Sequence, residues 1–322
     1  MSHAMINYPH VASMVFDTPL YATPTLVQAV RSVLEPRLLG RVTDLPETLG
    51  QNQGLPKGPA MAHDPEEREM HNLKVVGRLA IIPVHGVLVA RRGQINGACE
   101  EILSYERLRT QINAALKHEL VEEIVLDFHT GGGQAMGCKE LADFIRASTT
   151  VKPITALVNF AAYSAGYFLA AACSRIVASP TAGVGSIGVI IETYEVSRME
   201  EAMGITFNTY FRGDHKNDLT PHAPITDQAE QEINLKLDNA YAMFTESVAE
   251  YRGLAVADVI ATQARLYDPE AALSARLIDE IAPAQDALDS IAQAYAGSSS
   301  RSSQSSRSIR AQARALDASC RL

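Results

Sequence analysis

The sequence is short of paired cysteines, of positive charge and of long apolar runs, and each shortage excludes a class of protein. Its four cysteines among 322 residues form no Cys-x-x-Cys pair, so neither a zinc site nor a disulfide framework is predicted. Lysine and arginine number 28 against 37 acidic residues, giving a formal charge of −9. Nucleic acid and anionic lipid both require a cationic surface, so we expect neither as a partner. Apolar runs fall short of the roughly 20 residues that cross a bilayer, and a reducing cytoplasm is the expected compartment.

What the sequence does contain is the composition of a globular protein, 47% hydrophobic and 20% charged. Residues 41–72 are polar and punctuated by proline and glycine, which is typical of a linker. We therefore expect an N-terminal arm at 1–40 and a main domain at 73–295. Residues 296–322 are rich in serine and have too little apolar surface to offset the entropy of ordering, so they are predicted to be a disordered tail.

Strand-like and helix-like segments alternate through the main domain, which predicts an α/β fold with a mainly parallel sheet and flanking helices. The long segment 227–251 has apolar residues at helical spacing and Gly253 as its stop. We predict strands at 74–89 (in two runs), 123–128, 153–159, 175–178, 187–191 and 206–211, and helices at 98–119, 139–147, 164–173, 196–203 and 227–251.

Three glycines, Gly131 to Gly133, follow the predicted strand at 123–128. Glycines at the carboxyl end of a parallel strand let backbone N–H groups approach a ligand, as an anion or oxyanion site requires. A tight turn between strand and helix is an equally good interpretation. A phosphate-binding loop is disfavoured because no Gly-Lys-Ser/Thr follows.

Ser164 lies in a second turn of small residues, between the strand at 153–159 and the helix at 164–173. A hydroxyl there is close to the positive end of a helix, and the N–H of Ala165 can donate to an oxyanion. A serine at this position is also a common N-cap, which is the alternative interpretation.

A nucleophilic serine needs a base, and the nine histidines form no recognisable Ser/His/Asp arrangement. Lysine can serve when burial keeps its amine neutral. Lys216 follows a predicted strand within a turn-rich segment, where an exposed structural lysine is the simpler interpretation. Its neighbour His215 is a rival base.

Together these segments resemble peptidase family S49, the signal-peptide-peptidase family of Ser/Lys proteases. Four motifs match in the same order: the triple glycine at 131–133, Tyr-Ser-Ala-Gly-Tyr at 163–167, Gly-Ser-Ile-Gly-Val at 185–189 and Gly-Asp-His-Lys at 213–216. The resemblance implies a fold of the crotonase and Clp-protease type. It also implies that Ser164 is the nucleophile, Lys216 the general base and Ser186 the hydroxyl that orients the lysine amine.

The same resemblance implies an oxyanion hole made of the backbone N–H of Gly131 or Gly132 together with that of Ala165. Thr130 stands where the family usually has proline, and we expect this to alter the stiffness of the loop more than the chemistry. No metal ion, nucleotide or other cofactor is implied.

Within the family, the opening segment at 7–14 and the segment at 251–256 resemble the branch that matures phage heads. That branch implies cleavage of scaffold protein, and of portal protein or the chain itself, within a prohead in the host cytoplasm. Capsid proteins are implied as assembly partners, and a homo-oligomer is expected. Two alternatives stay open: an acyl-CoA hydratase or isomerase of the crotonase type, and a structural minor capsid protein with a vestigial protease site.

Overall fold

The computed structural model describes residues 14–38, 69, 73–92 and 102–296, and a nine-stranded sheet forms its centre. The strands are β1 (Leu20–Ala22), β2 (Lys74–Val76), β3 (Leu79–Leu88), β4 (Glu123–Gln134), β5 (Ile154–Tyr163), β6 (Arg175–Ala178), β7 (Gly183–Gly185), β8 (Leu266–Tyr267) and β9 (Glu280–Ile281). The main path runs β2-β3-β4-β5-β6-β9, in which β3, β4, β5, β6 and β9 are parallel to one another and β2 is antiparallel to β3. The predicted α/β class with a mainly parallel sheet is confirmed.

Three further strands extend the sheet near its carboxyl end. Beyond β6, the last part of β5 pairs in parallel with β7, and β7 pairs antiparallel with β8. On the other side, β1 pairs antiparallel with the last residues of β4. A strand from the N-terminal arm is therefore part of the sheet, next to the glycine-rich segment.

Helices cover both faces of the sheet. They are α1 (Pro24–Leu38), α2 (Tyr105–Lys117), α3 (Cys138–Ser148), α4 (Ala165–Ala171), α5 (Ser197–Ala202), α6 (Asp227–Arg252), α7 (Val256–Ala261), α8 (Pro269–Ser274) and α9 (Ala284–Ala296), with a 3₁₀ helix at Asp214–Asn217. No helix in the described ranges is long and apolar enough to cross a membrane.

The alternation of side chains along β4 shows how the core is divided. Ile124, Leu126 and Phe128 join the large cluster that packs under α2, α3, α4 and α6, whereas Val125 points to the opposite face. There it packs with residues of α9 such as Ile291. A strand that is apolar on both faces is expected for a parallel sheet covered by helices on each side.

Several predicted elements differ in the structure. Residues 206–211 form no strand, and their side chains are exposed; Tyr210 is 90% exposed. The predicted strand at 187–191 is reduced to an isolated bridge at Ile190. The strand expected at 123–128 continues to Gln134, because the glycines pair with β1. The predicted linker, apart from residue 69, and residues 297–322 of the predicted tail lie outside the described residues.

Candidate active site

Ser164 occupies the turn that joins β5 to α4, and its backbone conformation is unusual. Its φ is 54° and its ψ is −116°, a combination that non-glycine residues rarely adopt and that functional sites often hold under strain. The surrounding bonds fix it: its N–H donates to the carbonyl of Gly185 at 2.8 Å, and its carbonyl accepts from the N–H of Phe168 at 2.9 Å. The turn thus resembles the sharp strand-to-helix elbow that presents a nucleophilic serine.

The hydroxyl of Ser164 is fully buried and has no hydrogen-bond partner among the described residues. Ser164 does occupy the N-cap position of α4, but its side chain makes no capping hydrogen bond. Buried hydroxyls are nearly always paired, so an unpaired one at a strained position calls for an explanation. Within the described residues, this hydroxyl is not engaged in a structural hydrogen bond.

The glycine-rich end of β4 runs directly beside this turn. Gly132 has a φ of 105°, and a side chain on it would place its Cβ 3.1 Å from the Cβ of Ser164 and 2.1 Å from the carbonyl oxygen of Tyr21. Glycine is required here by both the backbone conformation and the space. The structure thus brings the triple glycine at 131–133 next to the motif that contains Ser164.

Thr130 adds a feature that the sequence did not reveal. Its hydroxyl accepts from the N–H of Gly132 at 3.0 Å and donates to the carbonyl of Gly86 at 2.5 Å. The N–H of Gly132 is therefore occupied in this structure. Ala165 is the first residue of α4, and the first N–H groups of a helix have no partner within it. The N–H of Ala165 therefore fits the expected oxyanion role better than that of Gly132.

Ser186 lies against the Ser164 turn from the other side. It follows β7, is mostly buried and also has a positive φ, 55°. Its N–H donates to the carbonyl of Arg265 at 2.9 Å, and its carbonyl accepts from the N–H of Gly188 at 2.9 Å. Because the N–H of Ser164 donates to Gly185, the residue before Ser186, the structure brings the motif at 163–167 and the motif at 185–189 together.

Lys216 is not brought to either serine in this structure. It is exposed on the 3₁₀ helix Asp214–Asn217, within the irregular segment that precedes α6. Its neighbour His215 bonds through Nδ1 to Asp218 at 2.9 Å, and this hydrogen bond raises the pKa of the imidazole. The rival base His215 is exposed too, so neither candidate base contacts the Ser164 hydroxyl.

Other groups near the turn offer no competing chemistry. Cys138 begins α3 and is fully buried, and its thiol lies 3.9 Å from the carbonyl oxygen of Ala165. Burial raises the pKa of this thiol well above its usual value, so it stays protonated and unreactive. Within the ranges that the structure describes, no cluster of histidine, cysteine or acidic residues could hold a metal ion.

Comparisons with known proteins show the family of the chain. Residues 146–297, which contain Ser164, Ser186 and Lys216, match the model of peptidase family S49. Capsid assembly protease C of Escherichia phage lambda is 30% identical over 291 residues, which are 89% of this chain and 66% of that protein. The chain belongs to peptidase family S49. Head-tail preconnector protein GP5 of Enterobacteria phage P21 is 29% identical over 294 residues, 89% of this chain and 58% of that protein.

The S49 chain thus spans about three fifths to two thirds of the length of these two relatives. Among solved structures, it resembles the 1510-N membrane protease of Pyrococcus horikoshii, which is specific for a stomatin homolog, at 15% identity. The likeness covers 67% of this chain and 79% of that one with a TM-score of 0.40, too distant to support a conclusion about the site.

The sequence did not predict that the N-terminal arm packs beside this candidate site. Residues 20–22 lie against Gly132 and Gly133, and Tyr21 is buried in the main core. A signal existed in the sequence: residues 20–22 are apolar and lie between Pro19 and Pro24, as a short strand bounded by turns would. A local pattern could not show which strand they pair with.

Proposed function

We propose that the chain is a serine endopeptidase with Ser164 as nucleophile, Lys216 as general base and Ser186 as the hydroxyl that orients the amine. The observation that carries this proposal is the Ser164 hydroxyl, which is buried, unpaired and held on a strained turn at the end of a parallel strand. A structural serine would not require such a backbone.

In the proposed reaction, neutral Lys216 takes the proton of Ser164 as Oγ attacks a peptide carbonyl. The backbone N–H groups of Gly131 and Ala165 stabilise the negative charge of the tetrahedral intermediate. The leaving amine then receives the proton from Lys216, and water hydrolyses the acyl-enzyme. Neither a metal ion nor an organic cofactor takes part.

The proposal requires the lysine turn to move, because in this structure Lys216 is exposed and the Ser164 hydroxyl has no partner. The segment around it carries several exposed apolar side chains, namely those of Met203, Ile205, Phe207, Tyr210 and Phe211. Burying them, against the domain or a second copy of the chain, would also remove water from the Lys216 amine, which favours its neutral form. This is the reason to expect a homo-oligomer.

The names of the two phage relatives support a role in the assembly of phage heads. One is named a capsid assembly protease and the other a head-tail preconnector protein. We accordingly propose that the chain cleaves scaffold or portal protein, and itself, inside a prohead in the host cytoplasm, in contact with capsid proteins.

The test is to incubate the full chain with candidate scaffold and portal proteins and to identify the products by mass spectrometry. Wild type should cleave, whereas Ser164→Ala and Lys216→Arg should not, since arginine keeps the charge but cannot give up its proton. Lys74→Arg is the matched control, because Lys74 is exposed on β2. Near-normal cleavage by Lys216→Arg would show that the proposed base is wrong. Cleavage by Ser164→Ala would exclude the proposed nucleophile.

A further inference from the structure

The arm segment at 19–23 is hydrogen-bonded as a strand on both of its sides. Leu20 exchanges two backbone bonds with Ile190, at 2.9 and 3.0 Å, which is the pattern of an antiparallel pair. On the opposite side, Thr23 donates to the carbonyl of Gly131 at 3.0 Å, and the carbonyl of Pro19 accepts from the N–H of Ala135 at 3.2 Å. Before this segment the chain bends, because Asp17 has a φ of 61°, and its N–H donates to the carbonyl of Glu192 at 3.0 Å beside a separate, parallel bridge. The segment therefore fills a gap between the glycine-rich end of β4 and residues 190–192.

This gap opens onto the nucleophile. A Cβ added to Gly132 would lie 2.1 Å from the carbonyl oxygen of Tyr21 and 3.1 Å from the Cβ of Ser164. The ring of Tyr21 lies 5.6 Å from that of Phe168, one helical turn after Ser164. With the arm in place, Ser164 is fully buried. The carbonyl oxygen of Tyr21 thus lies close to the Cβ of Ser164.

We infer that residues 19–23 occupy the strand position of a substrate peptide, so that the arm must leave this gap before another peptide can reach Ser164. The inference rests on the proposed function. An extended peptide that inserts between two strand edges gains main-chain hydrogen bonds on each side, and the arm already makes those bonds. The arm is the intramolecular occupant of the site.

Most apolar side chains of the arm pack within the arm or against Ile190, with the exception of Tyr21, whose hydroxyl donates to the carbonyl of Ala240 at 2.7 Å. One of its apolar clusters contains Phe16, Leu34 and other arm residues, and a second joins Leu20, Ala22 and Val27 with Ile190 from outside the arm. In the described part of the chain, Tyr21 is the one arm residue in the main core cluster. An apolar cavity of about 110 Å³ also separates α1 from β3 and β4.

The carboxylates of Asp17 and Glu192 make the bound position of the arm less favourable. Asp17 and Glu192 are adjacent through their backbone bond, and each has a buried carboxylate oxygen with no hydrogen-bond partner among the described residues. Burial raises the pKa of Asp17, partly offset by Lys236. Unpaired buried oxygens cost free energy that release of the arm would recover.

A reversible tether tests the inference. Leu20 and Ile190 form a hydrogen-bonded antiparallel pair, whose Cα atoms are typically about 5.5 Å apart, within the range that a disulfide spans. In the double variant Leu20→Cys/Ile190→Cys, oxidation should lock the arm in place, and peptide mapping would verify the bond. We expect the oxidised form to react with a fluorophosphonate at Ser164 at least tenfold more slowly than the reduced form. Each single cysteine variant, oxidised in the same way, should show no such difference.

A second variant should speed up the labelling of Ser164 instead of slowing it. Val27→Asp places a charge in the cluster that joins α1 to the arm strand, whereas Ser32→Asp adds the same charge on an exposed part of α1. The fluorophosphonate should label Ser164 several-fold faster in Val27→Asp than in wild type, whereas Ser32→Asp should show no such increase.

The outcomes separate the two proposals. Equal labelling of oxidised and reduced tether, with no acceleration by Val27→Asp, would overturn the inference and leave the peptidase intact. If wild type and Val27→Asp both failed to label at Ser164 and to cleave protein, the proposed function itself would be wrong, and the inference would fail with it.

Discussion

Replacing Ser164 by alanine should abolish peptidase activity and, at the same time, raise the free energy of unfolding. Its hydroxyl is fully buried without a hydrogen-bond partner in the described part of the chain. A buried polar group left unpaired costs about 1–3 kcal/mol, and alanine removes that group while keeping Cβ and the strained backbone. We therefore expect a gain of about 1–3 kcal/mol. For a domain of 150–250 residues, each kcal/mol raises Tm by about 2–4 °C.

The assay is thermal and urea unfolding of wild type and Ser164→Ala, with Ser148→Ala as the matched control. Ser148 is also fully buried, but its hydroxyl donates to the carbonyl of Phe144 at 2.6 Å. Removing that satisfied hydroxyl should lower stability by about 0.5–1.5 kcal/mol. If Ser164→Ala lost as much stability as Ser148→Ala, the hydroxyl of Ser164 would be an ordinary structural group and our reasoning would be refuted.

Two further predictions concern neighbouring contacts. Gly166→Ala would bring its Cβ to 2.4 Å from the γ-methyl of Thr130, and this overpacking should lower the free energy of unfolding by about 1–3 kcal/mol. The same change in a Thr130→Ser background should cost less, because serine lacks that methyl. Urea unfolding of wild type, the two single variants and the double variant tests this coupling, and equal costs in both backgrounds would contradict it. Asp218 raises the pKa of His215 by accepting its hydrogen bond, so this contact stabilises the folded state below the usual histidine pKa, and the contribution is lost as pH rises through the raised value. An NMR titration of the imidazole should show a lower pKa in Asp218→Asn, and an unchanged one would contradict the role of Asp218.

The elements that follow from local pattern were largely predictable from the sequence. The strand before Ser164, the helix after it and the long helix that ends at Gly253 all have residue patterns that specify them without distant partners. Gly253 adopts the left-handed conformation at which helices commonly stop.

Long-range pairing could not be predicted in the same way. Residues 206–211 alternate as a strand would, but in the structure they pair with no neighbouring strand among the described residues, and Phe207 is 54% exposed. The glycines of β4 extend the sheet because β1 and β3, both distant in sequence, pair with them. Strand formation depends on a partner, which a single segment does not encode.

Candidate residues could be chosen from the sequence, but their arrangement could not. The resemblance to family S49 selected Ser164, Ser186 and Lys216, and the structure brings the two serine-bearing turns together through the bond to Gly185. The hydrogen bond from Gly132 to the Thr130 hydroxyl and the exposed position of Lys216 both depend on backbone geometry. Neither follows from residue type.

The most direct test of the central claim is to treat the full-length protein with a fluorophosphonate and to locate the adduct by mass spectrometry. The account predicts one adduct, on the peptide that contains Ser164, and its loss in Ser164→Ala. It also predicts much slower labelling of Lys216→Arg than of Lys74→Arg. An adduct on another residue, or labelling that is indifferent to Lys216, would contradict the proposed Ser/Lys peptidase.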